Sequence, residues 1–170
     1  MSLRQRLMYL GASGLILGAS TFLAPLEVLP SGPNLTPYDD IGGVSTWCYG
    51  ETGGRPKTRY TLAECDAMLL VSVQKHWDGI KDAVPYDAPQ SVKEAMTSVA
   101  YNVGVSGWRH PVFTRPLVGG DWKGACAAIT APWQGKHGVA KGFKATVKGK
   151  PARGLENRRA KEYKLCMRDL

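Results

Sequence analysis

Residues 38–50 read YDDIGGVSTWCYG, and this stretch decides the fold that we expect. Its second half is rich in Val, Thr, Trp and Tyr between glycines, which is typical of a short strand bounded by turns. An acidic pair, Asp39 and Asp40, precedes that strand. The stretch follows an apolar N-terminus and comes before the helices that the remaining sequence predicts. Asp40 and Thr46 are therefore the first candidates for any chemistry in this chain.

The apolar N-terminus covers residues 7–29 and has no charge before Glu27. About twenty uncharged residues in a helix can just cross a hydrocarbon core of ~30 Å. Arg4 and Arg6 precede the segment, and this charge order predicts that the rest of the chain is exported. Three interpretations stay open: a cleaved signal peptide, a permanent anchor, or a weak transmembrane helix that later leaves the bilayer. The many Gly, Ala and Ser residues favour the third.

After the anchor, the sequence predicts one α+β domain. Residues 30–37 contain three prolines and predict a linker or tight loop. Residues 58–60 are expected to pair back on the first strand. Helices are predicted from capping boxes at Thr61 and Ser91, the latter ending at Gly104, from Asp121 to Ile129, and over residues 155–167, with a loop at 132–154. We expect a signal-anchor at 1–29 and a domain at 30–170, with a small sheet beside a mostly helical remainder.

Four cysteines, at positions 48, 65, 126 and 166, are too widely spaced for a zinc site. In an exported chain their even number predicts two disulfides. Of three connectivities we expect Cys48–Cys65, which joins the strand to the next helix, and Cys126–Cys166, which joins the last two predicted helices. We expect no cofactor and no metal.

The net charge of +8 is concentrated at the C-terminal end. Residues 131–170 contain eleven Lys and Arg against three acidic residues, whereas the charges of the other 130 residues balance. Such a basic block implies an anionic partner: an acidic cell-wall polymer, a membrane surface or nucleic acid. Few aromatic residues are interleaved with these charges, and the chain is expected to be exported, so we expect no nucleic acid partner.

Five stretches then stand in order along residues 37–166: PYDDIGGV followed by Thr46, Cys48 and Gly50; YTLAEC at 60–65; YNVG at 101–104; GDWKGAC at 120–126; and Gly154-Leu155 followed by Arg158-Arg159 and Cys166. Together they resemble the T4-lysozyme-like family of phage lysozymes, in particular the signal-anchor-release endolysins of lambdoid phages. The resemblance implies a monomeric, lysozyme-like protein with a small β-sheet lobe and a mostly helical lobe. It also implies a muramidase that cleaves the β-1,4 bond between N-acetylmuramic acid and N-acetylglucosamine in peptidoglycan.

The catalytic signature of that family is a glutamate, eight residues, an aspartate, five residues and a threonine. Asp40 and Thr46 fit its second half, but Ser31 stands where the glutamate is expected. Glycoside hydrolysis needs a proton donor for the leaving oxygen, and a serine hydroxyl is far too weak an acid for this role.

Three accounts of the missing glutamate stay open. In the first, the chain lacks its acid, by natural drift or deliberate substitution, and cleaves slowly or not at all; a catalytically inactive, peptidoglycan-binding relative is the rival function that this allows. In the second, Glu27, four residues earlier, replaces the acid, and in the third Glu51 or Asp39 does so. As a carboxylate, Asp40 would stabilise positive charge on the sugar or orient water, and the Thr46 hydroxyl would hold that water.

The resemblance also implies a location. We expect the chain to sit first in the host inner membrane, facing the periplasm, and then to be released into the periplasm. While the anchor is inserted, residues 30–37 would be held at the membrane and the site would stay incomplete. No cysteine occurs in residues 1–47, so activation cannot act through disulfide exchange from the anchor.

Overall fold

A computed structural model describes residues 1–28, 31–40 and 43–170. Leu29 and Pro30, where the predicted anchor meets the predicted linker, lie outside the described residues, as do Ile41 and Gly42 of the opening stretch. The chain divides between Gln74 and Lys75 into two compact units.

The apolar N-terminus of the first unit is two short helices, α1 (Leu3–Tyr9) and α2 (Gly14–Glu27), rather than the single helix predicted over 7–29. Gly11 has a φ of +88° in the turn between them, a conformation that L side chains adopt only with strain. Leu7, Leu23 and Ala24 are buried. Among the residues that the structure describes, no helix combines the length and the apolar character needed to cross a membrane.

The sheet of the first unit has three antiparallel strands: β1 (Asn34–Asp39), β2 (Ser45–Cys48) and β3 (Glu51–Thr52), in that order. The strand predicted after the acidic pair is confirmed as β2. The prediction of a linker over 30–37 was wrong in part, because β1 begins at Asn34 and contains Pro37. Since β1 is an edge strand with no neighbouring strand on its outer side in the described part of the chain, it can accommodate a proline, which has no N–H to donate.

Residues 58–60 are not a strand, contrary to the prediction, and the short β3 pairs with β2 instead. The Tyr60 N–H still donates to the Leu35 carbonyl at 2.8 Å. The capping box at Thr61 is confirmed. The Thr61 hydroxyl accepts from the Glu64 N–H, and the Glu64 carboxylate accepts from the Thr61 N–H, at the start of α3 (Leu62–Asp78).

The second unit is mostly helical. After a short 3₁₀ turn at Lys81–Ala83, its helices are α4 (Gln90–Val103), α5 (Val105–Trp108), α6 (Pro111–Val118), α7 (Trp122–Thr130) and α8 (Arg153–Cys166), followed by a second 3₁₀ turn at Met167–Asp169. Helix α4 packs against α8, and α7 packs against α6 and α8. The buried face of α4, which includes Val92, Met96 and Val99, supplies much of the core.

The helix predicted over residues 155–167 is confirmed as α8. Of four finer predictions in this unit, two were right and two were wrong. Asp121 caps α7 by accepting from the Gly124 N–H at 2.8 Å, and α4 ends at Gly104, whose φ is +78°. The predicted capping box at Ser91 was wrong, because α4 starts at Gln90 and Ser91 therefore lies inside the helix, where its buried hydroxyl donates to the Cys166 carbonyl. Residues 132–154, predicted as a loop, form two hairpins, β4 (Pro132–Gly135) with β5 (Gly138–Lys141) and β6 (Thr146–Val147) with β7 (Lys150–Pro151).

Candidate active site

The turn between β1 and β2 is held by Asp40. Its N–H donates to the Val44 carbonyl at 3.0 Å, its carbonyl accepts from the Gly43 N–H at 2.9 Å, and its carboxylate Oδ1 accepts from the Val44 N–H at 2.9 Å. This use of an aspartate in a turn is common, because the short carboxylate reaches nearby backbone N–H groups. These contacts fix the backbone and the side chain of Asp40, which is exposed at the tip of the hairpin.

Thr46 lies two residues after Val44 and is only 5% exposed. Its hydroxyl donates to the Val44 carbonyl at 2.9 Å. The same carbonyl accepts from the Asp40 N–H, so Asp40 and Thr46 meet at one residue of the turn. The structure thus brings together the two residues that the sequence proposes as the second half of the signature.

Two further candidates, Ser31 and Glu27, precede β1 in the chain. Ser31 is exposed in a turn, and Glu27 is the last residue of α2 and is half-buried. Glu27 lines a cavity of about 470 Å³ together with Tyr38, and Tyr38 is the direct partner of Thr46 across the sheet. Asp39 faces Ser45, and Glu51 faces Trp47.

Two disulfides have the connectivity that the sequence predicts. Cys48–Cys65 has an S–S distance of 2.03 Å and joins the end of β2 to the first turn of α3. Cys126–Cys166 joins α7 to the end of α8. The first bond fixes β2, which carries Thr46, to the helix that follows.

A buried polar cluster in the first unit was not predicted. The carboxylate of Asp66, which is completely buried, accepts from Arg6 Nε at 2.6 Å and from the Tyr49 hydroxyl at 2.8 Å. Burial is the main cause that raises the pKa of the Tyr49 phenol above its ordinary value of 10, and the hydrogen bond to Asp66 adds to it. The cluster links α1 to α3 and to Tyr49, the residue that follows Cys48.

A second cluster, in the helical unit, contains residues of the family-like stretches YNVG and Arg158-Arg159. Glu162 Oε1 accepts from the Ser98 hydroxyl at 2.7 Å and from Arg158 Nε at 3.1 Å. Arg159 forms an ion pair with Glu162 at 2.9 Å and donates to Asn102. Two of the eleven basic residues of the C-terminal block are therefore buried in structural contacts. Eight of the others are exposed: Lys136, Lys141, Lys148, Lys150, Arg153, Lys161, Lys164 and Arg168.

Comparison with known proteins agrees with this architecture. The sequence model of the phage lysozyme family matches residues 31–162. A SAR-endolysin of Bacteriophage PS119 is 34% identical over 141 residues, which are 80% of this chain and 75% of that protein. A SAR-endolysin of Pseudomonas phage phiKMV is 32% identical over 148 residues, 85% of each chain.

Solved structures show the same fold. The crystal structure of the active form of the P1 phage endolysin Lyz matches with a TM-score of 0.76 at 22% identity, covering 99% of this chain and 95% of that chain. Its likeness establishes the lysozyme-like α+β fold, and the sequence matches establish ancestry. This chain belongs to the phage lysozyme family.

Proposed function

We propose that this protein is a monomeric muramidase that hydrolyses the β-1,4 bond between N-acetylmuramic acid and N-acetylglucosamine of peptidoglycan during host-cell lysis. The observation that carries the proposal is the convergence of Asp40 and Thr46 on Val44, at the spacing of the family signature and inside the matched residues.

The chemistry of these two groups suits a sugar substrate. Positive charge develops on the sugar as the glycosidic bond breaks, and the Asp40 carboxylate can stabilise that charge or orient the attacking water. The Thr46 hydroxyl has its proton in a hydrogen bond to Val44, so its oxygen serves the water as an acceptor. Neither group replaces the acid that must protonate the leaving oxygen, and Ser31 is too weak an acid to do so.

The serine at position 31 favours one rival function. A relative without an acid would still bind peptidoglycan through the site and through the exposed basic residues of the C-terminal block, and would have lost turnover. Binding without cleavage is the property that separates this rival from the muramidase.

The test is the loss of turbidity of Gram-negative cells with permeabilised outer membranes. The full chain is expected to clear the suspension, and Asp40→Asn is expected to clear it at least about 100-fold more slowly. Asn keeps the carbonyl oxygen that accepts from Val44, so the turn should persist. Sedimentation with purified peptidoglycan serves as the binding control. Binding by the unmodified chain without any clearing would establish the inactive relative.

We further propose that residues 7–29 first insert in the inner membrane, with the domain in the periplasm, and later leave the bilayer. The small residues of this segment support weak insertion. The buried positions of Leu7, Leu23 and Ala24 support a released state in which the segment packs within the first unit.

Replacement of Gly11, Gly14 and Gly18 by Leu tests the release. Leu makes the segment more apolar, and it strains the packed state at Gly11 and Gly14, whose φ angles are +88° and +50°. The triple variant is expected in the membrane fraction. Gly154→Leu is the control, because a side chain at Gly154 meets open space. An unchanged amount of soluble triple variant would contradict release.

A further inference from the structure

Glu27 occupies a defined place at the end of α2. The helix is held by the buried residues Leu23 and Ala24, one turn before Glu27. The Glu27 carboxylate Oε2 lies 3.6 Å from the point where a Cβ on Gly50 would stand. Gly50 follows β2 with a φ of +89°, so the carboxylate lies beside the turn that leaves the catalytic strand.

The cavity beside Glu27 offers room for a ligand. It has a volume of about 470 Å³ and is lined by Leu26, Glu27, Val28, Asn34 and Tyr38. Apolar side chains with a few polar groups are the usual lining of small-ligand sites. A carboxyl group at such a place can contact a bound sugar chain.

Strand register separates Glu27 from the other two substitutes. Side chains directly opposite each other across an antiparallel pair lie on the same face of the sheet. Tyr38 is opposite Thr46, so the Glu27 cavity, which Tyr38 lines, is on the face of Thr46.

Asp39 and Glu51 lie on the other face. Asp39 follows Tyr38 and is opposite Ser45, and Glu51 is opposite Trp47, the neighbour of Thr46. Successive side chains of a strand point to opposite faces, so neither carboxylate shares the face of Thr46.

The family signature places the acid at position 31, and Glu27 lies four positions earlier. Helix α2 ends at Glu27, and β1 begins at Asn34. Ser31 is exposed in the turn between them. Position 31 is thus exposed to solvent, while the Glu27 carboxylate lies beside the turn that follows β2.

We infer that Glu27 is the proton donor of this enzyme, an acid displaced from the family position. The inference rests on the proposed muramidase function. The bond between C1 of N-acetylmuramic acid and the glycosidic oxygen breaks, its electron pair stays on the oxygen, and that oxygen takes the proton of the Glu27 carboxyl. Water adds to C1 and loses a proton to Asp40, and exchange with solvent restores both carboxyl groups.

The test uses the full chain and purified peptidoglycan, with the release of reducing ends as the readout. Glu27→Gln is expected to lower kcat at least about 100-fold, because general acid catalysis contributes 10²–10⁴-fold. Sedimentation with peptidoglycan should be unchanged. Asp39→Asn is the matched control, since it neutralises a neighbouring carboxylate on the other face, and it should stay within about threefold of the unmodified chain.

Two further variants distinguish the loss of the proton donor from a loss of folding in Glu27→Gln. Glu27→Asp keeps a carboxyl group one methylene shorter, and should be slower than the unmodified chain but faster than Glu27→Gln. The double variant Glu27→Gln with Ser31→Glu tests whether a carboxyl group at the family position can act as the proton donor. It should restore activity only in part.

Each remaining outcome decides against the inference. Glu27→Gln with activity within threefold of the unmodified chain would overturn it and leave the muramidase function standing. An inactive unmodified chain would overturn both, and activity gained by Ser31→Glu alone would then identify a chain that lacks its acid.

Discussion

At the scale of single residues, the central feature is Val44, whose carbonyl accepts from both Asp40 and Thr46. Removal of the Thr46 hydroxyl leaves that carbonyl with the Asp40 N–H as donor. Thr46→Val should therefore cost less than about 1 kcal/mol of stability. It should lower kcat by about tenfold or more because the attacking water loses its acceptor.

Thr46→Ser is the matched control, since it keeps the hydroxyl and loses only a methyl group. Its kcat should stay close to that of the unmodified chain. Equal kcat for the Val and Ser variants would remove Thr46 from the chemistry.

Tyr49 gives a prediction for alkaline pH. Burial and the hydrogen bond to Asp66 raise the pKa of its phenol above 10, so the folded state favours the protonated form. The corresponding stability is fully present below pH 10 and is lost as pH rises through the folded pKa. Absorbance at the wavelength of tyrosinate should show one phenol that titrates late, and Tyr49→Phe should remove it. A titration without a late phenol would contradict this assignment.

Residue-level prediction from sequence succeeded where spacing is local and failed where contacts are distant. Asp40 and Thr46 lie in one hairpin, so their separation along the chain fixes their separation in space. Asp66 has an acidic neighbour two residues earlier and looks like one more solvated helix charge. Its partner Arg6 is 60 residues away, and no local pattern links the two.

At the scale of elements, the contact between α1 and α3 depends on the Arg6–Asp66 pair. The Asp66 side chain is 1% exposed and that of Arg6 is 24% exposed. Loss of the guanidinium would leave a buried carboxylate with the Tyr49 hydroxyl as donor. Arg6→Gln should therefore lower the free energy of unfolding by about 2 kcal/mol, below the range for a fully buried pair because Arg6 is partly solvated.

Urea denaturation of the full chain measures this cost. Arg4→Gln is the matched control, because Arg4 is exposed on the same helix. Equal midpoints for the two variants would show that the ion pair does not hold α1.

Two similar motifs show why one helix start was predicted correctly from the sequence and another was not. The Thr61 and Ser91 sequences both fit a capping box, yet only Thr61 caps its helix. Glu64 is partly exposed, and the hydrogen bond from Lys57 is the main cause that lowers its pKa to about 2. Its ionised carboxylate accepts from the Thr61 N–H at the start of α3. Glu94 is buried and binds Gln90 and Arg168, so tertiary contacts replace the local cap.

At the scale of the whole molecule, the exposed basic residues of the C-terminal block predict a dependence on salt. Attraction to an anionic cell-wall polymer is screened within about 8 Å at physiological ionic strength. Lys136, Lys148 and Lys150 are exposed near the two hairpins. Changing all three to Glu should weaken sedimentation with peptidoglycan at low salt, and the difference should shrink at high salt.

Glu substitutions at the exposed residues Arg55, Lys75 and Lys123, which lie outside the block, are the control for net charge. Equal weakening by both sets would mean that total charge matters and the C-terminal block does not.

The α+β class and the family could be predicted from the sequence because five motifs stand in order along the chain. Both disulfides could be predicted from the elements that were expected to carry the four cysteines. The packing of residues 1–28 could not. Leu7 and Leu23 are buried in this structure, but the same side chains would also suit a bilayer. Burial of apolar side chains is favourable both in a protein core and in the hydrocarbon core of a bilayer, so composition alone does not distinguish the two. Membrane insertion of this segment therefore stays a prediction.

The most direct test of the muramidase proposal is mass spectrometry of the fragments that the full chain releases from purified peptidoglycan. The account predicts soluble fragments that end in reducing N-acetylmuramic acid, with their yield strongly lowered in Asp40→Asn. Fragments ending in reducing N-acetylglucosamine, or no soluble fragments from a chain that still binds peptidoglycan, would contradict it.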